Sequence, residues 1–273
     1  MDTYRFRYFV SKQGIFEIFL VHLFFIFGSD LGISQNGCLD TVFEIQGHQV
    51  YLAVNRSDIR DNKRLPVLMA IHGSGRNAKS YRPKSEYGVP FYIYQRDVAL
   101  QNGCLFVVVS NGEETWGTDK GLKNLLRVYR YVSIHFSVEK KWILWGTSAG
   151  GILMFRMIKN HPELVRKALG TFPVYDLREA YEKRKNRNFV WRDSIDFVNI
   201  NPARFPDQLI SIPILIFHGE NDDVVPAENH SLRLKKEVNA LGGEIEVVIV
   251  SGGHSIDNWK MYNDDKIDQF INN

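Results

Sequence analysis

A chain of 273 residues with 44% hydrophobic and 24% charged residues is long enough for one sizeable α/β core and too apolar to be a disordered chain. A formal net charge of +3 without a sustained basic stripe excludes nucleic acid as the expected partner. The two cysteines, Cys38 and Cys104, have no metal-site spacing, and neither an HExxH nor a P-loop pattern occurs, so no metal and no cofactor is called for.

At the amino terminus, Arg5, Arg7 and Lys12 precede the apolar stretch IFEIFLVHLFFIFG, which Glu17 and His22 interrupt. A basic segment followed by a short apolar one has the form of a secretory signal. It falls short of the roughly 20 apolar residues that span a bilayer comfortably. Residues 1–28 are therefore read as a signal, which would place the mature protein in the periplasm or outside the cell. The alternative is a membrane-associated or cytoplasmic chain whose amino-terminal segment makes transient membrane contact. Residues 29–273 read as one domain.

The first pair of strands is expected over residues 42–45 and 49–54, with a turn at Gly47. PVLMAI (66–71) and CLFVVVS (104–110) are apolar runs bounded by turn residues, as buried strands are, and Cys104 reads as a small buried hydrophobe. Helices are expected over 91–101 and 119–136, the second from the spacing of Leu122, Leu125, Leu126 and Tyr129. A strand at 141–145 leads into a helix at 149–160. Further strands follow at 167–172, 212–218 and 244–250, with helices at about 227–240 and 256–271. Two early strands followed by repeated strand–helix units imply a mostly parallel sheet of about eight strands, with helices on both faces. Residues 173–209 break the alternation and read as an insertion over the edge of the sheet where chemistry collects, at the carboxyl ends of the strands. The basic run KRKNR at 183–187, inside this stretch, reads as solvated surface.

Four motifs fall at that edge. WGTSAGG places Ser148 two residues from Gly146 and Gly150, between a strand and a helix. A serine hydroxyl needs a neighbouring base and a tight turn that projects it into a pocket, and glycines at those two places permit such a turn. HGSG (72–75) follows the PVLMAI strand and has the small residues of an oxyanion loop. With it, the backbone N–H groups of Ser74 and Ala149 are the expected pair of donors. HGENDDVVP (218–226) offers two adjacent acids, Asp222 and Asp223, to orient a histidine. SGGHSI carries His254 after the last strand. Of the eight histidines, His254 alone completes the order serine, acid, histidine.

These motifs, in this order and at these spacings, resemble the α/β-hydrolase superfamily. The stretch GTSAGGILMFRMIKNHPELV is similar to its dienelactone-hydrolase-like and feruloyl- or acetyl-esterase-like branches. The likeness covers roughly residues 40–272. It implies an α/β-hydrolase fold, a Ser148–His254–Asp222 triad, and Asp222 in preference to Asp223. Dienelactone hydrolases proper carry cysteine where this chain has Ser148. Prolyl-oligopeptidase-type peptidases share the motifs but carry a large β-propeller, for which this chain has no room. The expected activity is hydrolysis of a small-molecule carboxylic ester, extending to acylated carbohydrate. Trp116, Tyr175 and Trp191 are candidates for the substrate pocket, since aromatic faces suit sugar or aryl groups. An acyltransferase with the same triad and a catalytically silent binding protein are the alternatives.

Overall fold

Gln46 and Gly47 close the first hairpin, both with positive φ (50° and 80°), as a two-residue turn between twisted strands requires. In this computed structural model the turn joins β2 (Cys38–Ile45) to β3 (His48–Asn55), with Ile45 opposite His48. The structure describes residues 32–33, 37–60, 63–83, 85–183 and 197–273. The segment 1–28, Trp191 and most of the basic run at 183–187 lie outside the described residues.

The other strands are β1 (Gly32–Ile33), β4 (Val67–Ile71), β5 (Leu105–Val109), β6 (Trp142–Thr147), β7 (Val165–Thr171), β8 (Ile214–Gly219) and β9 (Ile245–Val250). They form one sheet in the order β1-β2-β3-β5-β4-β6-β7-β8-β9. β1, β2 and β3 pair antiparallel, as do β3 and β5, and every later pairing is parallel. All eight expected strands are present, and the two-residue β1 is added at one edge.

The central strands are continuously apolar because both of their faces are covered. Every residue of β4, β5 and β6 is buried. Side chains alternate between two cores. Trp142 and Leu144 of β6 pack into one apolar cluster, and Ile143 and Trp145 into the other. β9 at the far edge is only partly covered. The helix Gly150–Asn160 is apolar nearly all round and buried from Gly150 to Ile158, since it lies between the sheet and the stretch after β7. Among the described residues no helix is long and apolar enough to cross a membrane.

Among the described residues, the stretch after β7 contains no sheet strand. It holds the helices Leu177–Lys183 and Phe197–Ile200 and two 3-10 turns. Buried His230 ties it down. Its Nδ1 accepts from the Tyr175 and Asp176 N–H groups (3.0 and 3.1 Å), and its Nε2–H faces Glu179 at 2.9 Å. Val174, Leu177, Ala180 and Ile200 pack with Ala149 and Ile152, so this stretch backs the start of the helix that follows Ser148. Cys38 and Cys104 are both buried free thiols.

Candidate active site

Ser148 stands on the turn between β6 and the helix Gly150–Asn160, with φ at 50°. A non-glycine residue held there is strained and needs surrounding bonds to keep it. Its N–H donates to Thr171 O (3.0 Å), and its carbonyl accepts from the N–H groups of Gly151 and Val174 (2.9 Å each). The flanking glycines are needed for room. A Cβ on Gly150 would lie 2.3 Å from Ile71 O and 2.7 Å from His72 O, both backbone atoms of the strand end. One on Gly146 would press on Met154 at 3.0 Å. Because backbone cannot move aside as a side chain can, Gly150→Ala is expected to lower the unfolding free energy by about 3 kcal/mol or more. Urea denaturation measures it, and a change under about 0.5 kcal/mol, ordinary for an exposed site, would contradict this packing.

The Ser148 hydroxyl lies 3.1 Å from His254 Nε2, and His254 Nδ1 lies 2.7 Å from Asp222 Oδ2. A carboxylate can only accept, so Nδ1 carries the proton and Nε2 presents its lone pair to Ser148. The other Asp222 oxygen accepts from the N–H groups of Val224 and Val225 (3.0 and 2.7 Å). Burial alone would raise the Asp222 pKa. Hydrogen bonds from His218, His254 and the Val225 N–H outweigh that and hold the carboxyl well below its ordinary range. Asp223, the competing acid, is exposed, whereas Asp222 is buried and bonded to His254.

His218 was expected only as part of the HG motif, yet it is a direct neighbour of this acid. Its Nε2 faces Val225 O at 2.7 Å and Asp222 Oδ2 at 3.4 Å, and its Nδ1 faces the Ser231 hydroxyl at 2.6 Å. The loop bearing His254 crosses the end of β8, where Gly219 leaves room for it. A Cβ there would lie 2.6 Å from the carbonyls of Gly252 and Gly253. Phe172, another non-glycine residue with positive φ (36°), sets its ring 4.4 Å from the His254 ring.

The N–H groups of Ala149 and Ser74 have no acceptor among the described residues. That of Ala149 lies at the amino end of a helix, where the dipole favours negative charge. The HGSG loop is held from beneath. His72 Nδ1 donates to Gly73 O (2.8 Å), and His72 Nε2 accepts from the Asn111 N–H (2.9 Å). Burial lowers the His72 pKa to about 4 against the opposing bond to Gly73, so the ring is neutral and structural. The Thr115 hydroxyl bonds His72 O, and the Trp116 indole donates to the Ser74 hydroxyl (3.3 Å).

A pocket of about 330 Å³ opens beside Ser148. Ser74, Arg76, Tyr92, Phe172 and His254 are among its walls. Trp116 and Tyr175 are not. Trp116 is 1% exposed beneath the HGSG loop, and Tyr175 is fully buried with its hydroxyl on Glu237 (2.6 Å). Their expected contact with substrate is corrected to a packing role, because each spends its polar atom on a protein partner. Arg76 and Tyr92 were not foreseen. Arg76 lies one residue beyond HGSG, while Tyr92 is brought in by the helix Pro90–Gln101 without any motif of its own. Among the described residues no group of His, Cys, Asp and Glu is arranged to hold a metal ion.

Residues 110–273 match the prolyl oligopeptidase family. The chain belongs to the prolyl oligopeptidase family. It is thereby placed among serine hydrolases of the α/β-hydrolase superfamily, in a family whose motifs the sequence shares. The matched span contains Ser148, Asp222 and His254, while the HGSG loop, Arg76 and Tyr92 precede it. No curated protein sequence matches.

Several solved structures share the fold. The fluorophosphonate-binding serine hydrolase F of Staphylococcus aureus is 16% identical, with 86% of this chain and 98% of that one covered and a TM-score of 0.66. An S-formylglutathione hydrolase from Agrobacterium tumefaciens is also 16% identical, covering 89% and 98%, with a TM-score of 0.65. The acylaminoacyl peptidase of Pyrococcus horikoshii is 15% identical, with a TM-score of 0.65. Here 87% of this prolyl oligopeptidase family chain aligns with only 42% of the peptidase.

Proposed function

We propose that the protein is a serine carboxylesterase working through Ser148, His254 and Asp222. The observation that carries this reading is the unbroken contact from the Ser148 hydroxyl through the His254 ring to the Asp222 carboxylate, at 3.1 and 2.7 Å. His254 Nε2 takes the Ser148 proton as the oxygen attacks the ester carbonyl. The oxyanion then rests on the N–H groups of Ala149 and Ser74. The proton on His254 passes to the leaving alcohol, and water attacks the acyl-enzyme by the same relay. The strained turn at Ser148 supports this role, since it aims the hydroxyl into the pocket before substrate arrives.

Family membership favours a second reading, peptide cleavage, the class of activity for which the acylaminoacyl peptidase of Pyrococcus horikoshii is named. Transfer of the acyl group to an alcohol acceptor uses the same intermediate. Extension to acylated carbohydrate draws no support from Trp116 or Tyr175, which are buried, and Trp191 lies outside the described residues; the aromatics that wall the pocket are Tyr92 and Phe172. Profiling over acetyl, butyryl and feruloyl esters and peptide p-nitroanilides separates these readings. Turnover of short acyl esters is expected, and cleavage of the peptides with no ester turnover would replace the esterase reading with the peptidase one. Addition of alcohol acceptors reads out transfer directly as a new ester product.

A further inference from the structure

Arg76 alone among the residues walling the pocket carries a fixed charge, and no aspartate or glutamate joins it there. Several other arginines of the molecule are neutralised by acids. Arg82 pairs with Asp40, Arg156 with Asp119, Arg166 with Glu139 and Arg233 with Asp176. Arg76 has no ion pair and no side-chain hydrogen bond with any described residue. Asp222, the nearest acid of the site, is fully occupied by His254, His218 and two backbone N–H groups. The Arg76 charge also reaches into the pocket. Burial raises the pKa of the Tyr92 phenol to about 12, and the Arg76 guanidinium opposes that rise.

The loop geometry fixes where the Arg76 backbone stands. The Arg76 N–H bonds back to Gly73 O (3.3 Å), and Gly75 takes up the turn with φ at 72°. This folds Arg76 beside Ser74, whose N–H is one of the two proposed oxyanion donors. A planar guanidinium with several N–H donors suits a carboxylate, which it can bind through two parallel hydrogen bonds.

Resting on the ester-hydrolase reading, we propose that Arg76 selects substrates bearing a carboxylate a few bonds from the scissile ester, as in half-esters of short dicarboxylic acids. The substrate's anion then meets a cation with no competing acid, and the same cation turns away amines. Arg76 acts as a specificity determinant and takes no part in bond making or breaking.

The test compares kcat/KM for monoethyl glutarate and ethyl valerate, two esters of equal chain length that differ by one carboxylate. Chromatography of the released acids follows both reactions. The wild-type protein is expected to favour the half-ester by about tenfold at low salt. That preference should shrink toward one in 0.5 M sodium chloride, because salt screens an exposed cation. In Arg76→Gln the ratio is expected near one, and in Arg76→Lys between the two, with thermal melts checking that both variants fold. A wild-type protein that cleaves ethyl valerate with no preference for the half-ester would overturn the proposal. So would an Arg76→Gln protein that keeps the preference. If neither ester is cleaved, the esterase reading falls and this proposal falls with it.

Discussion

Ser148→Ala is expected to lose ester turnover by about 10⁴-fold or more, the order that follows when a nucleophile is removed and its anion-binding donors remain. Alanine keeps the Cβ and every backbone bond that holds the turn, namely those to Thr171, Gly151 and Val174. It deletes only the hydroxyl, whose hydrogen-bond partner is His254 at 3.1 Å. Thermal melting should therefore stay close to that of the wild-type protein. Loss of turnover together with a collapsed melt would reduce Ser148 to a structural residue. Retained turnover would remove it from the mechanism.

Asp222→Asn is expected to cost about 10⁴-fold in kcat, and Asp223→Asn no more than about twofold. The difference comes from what each carboxylate touches. Asp222 is 5% exposed and accepts the His254 Nδ1 proton, so it fixes the tautomer that leaves Nε2 free to accept from Ser148. An amide can turn its NH₂ toward the ring, which reverses the tautomer and blocks proton transfer. Asp223 is exposed and makes no comparable contact. Asp222 also links the site to stability. Its folded pKa is depressed below the ordinary value near 4, so the unfolded chain binds its proton first as pH falls. The stabilisation is fully present above about pH 4 and drains away below it, through the depressed folded value. Denaturant midpoints of the wild-type protein should accordingly fall below about pH 4, more steeply than those of Asp222→Asn. Equal slopes would show that the carboxylate is not held as described.

The strands β4 and β5 were legible because burial on both faces leaves uninterrupted apolar runs, VLMAI and LFVVV. The Ser148 turn was legible because a close backbone approach admits only glycine at position 150, and glycine is visible in a sequence. The carboxyl-terminal helix was less so. A single helix was expected over 256–271, but Ser255 caps a 3-10 turn (Ile256–Met261) and Asn263 caps a separate helix (Asp264–Asn272). Two polar caps within one apolar period are easily read as surface positions of one helix. The helix expected from 227 starts at Ser231, after buried His230 turns inward to hold the stretch that follows β7. The pocket walls were least legible. Nothing in an aromatic residue's neighbours along the chain tells which way its ring points, so Trp116 and Tyr175 were assigned to substrate and prove to be packed in the protein. Tyr92 reaches the site through helix packing alone, and Arg76 through the turn at Gly75.

The central claim is that Ser148 is a hydroxyl activated by its folded surroundings. Reaction of the folded protein with a fluorophosphonate probe, followed by peptide mapping, tests it most directly. A single adduct on Ser148, absent after thermal unfolding, is the result this account predicts. An unlabelled folded protein, or an adduct on Ser74 in place of Ser148, would contradict it.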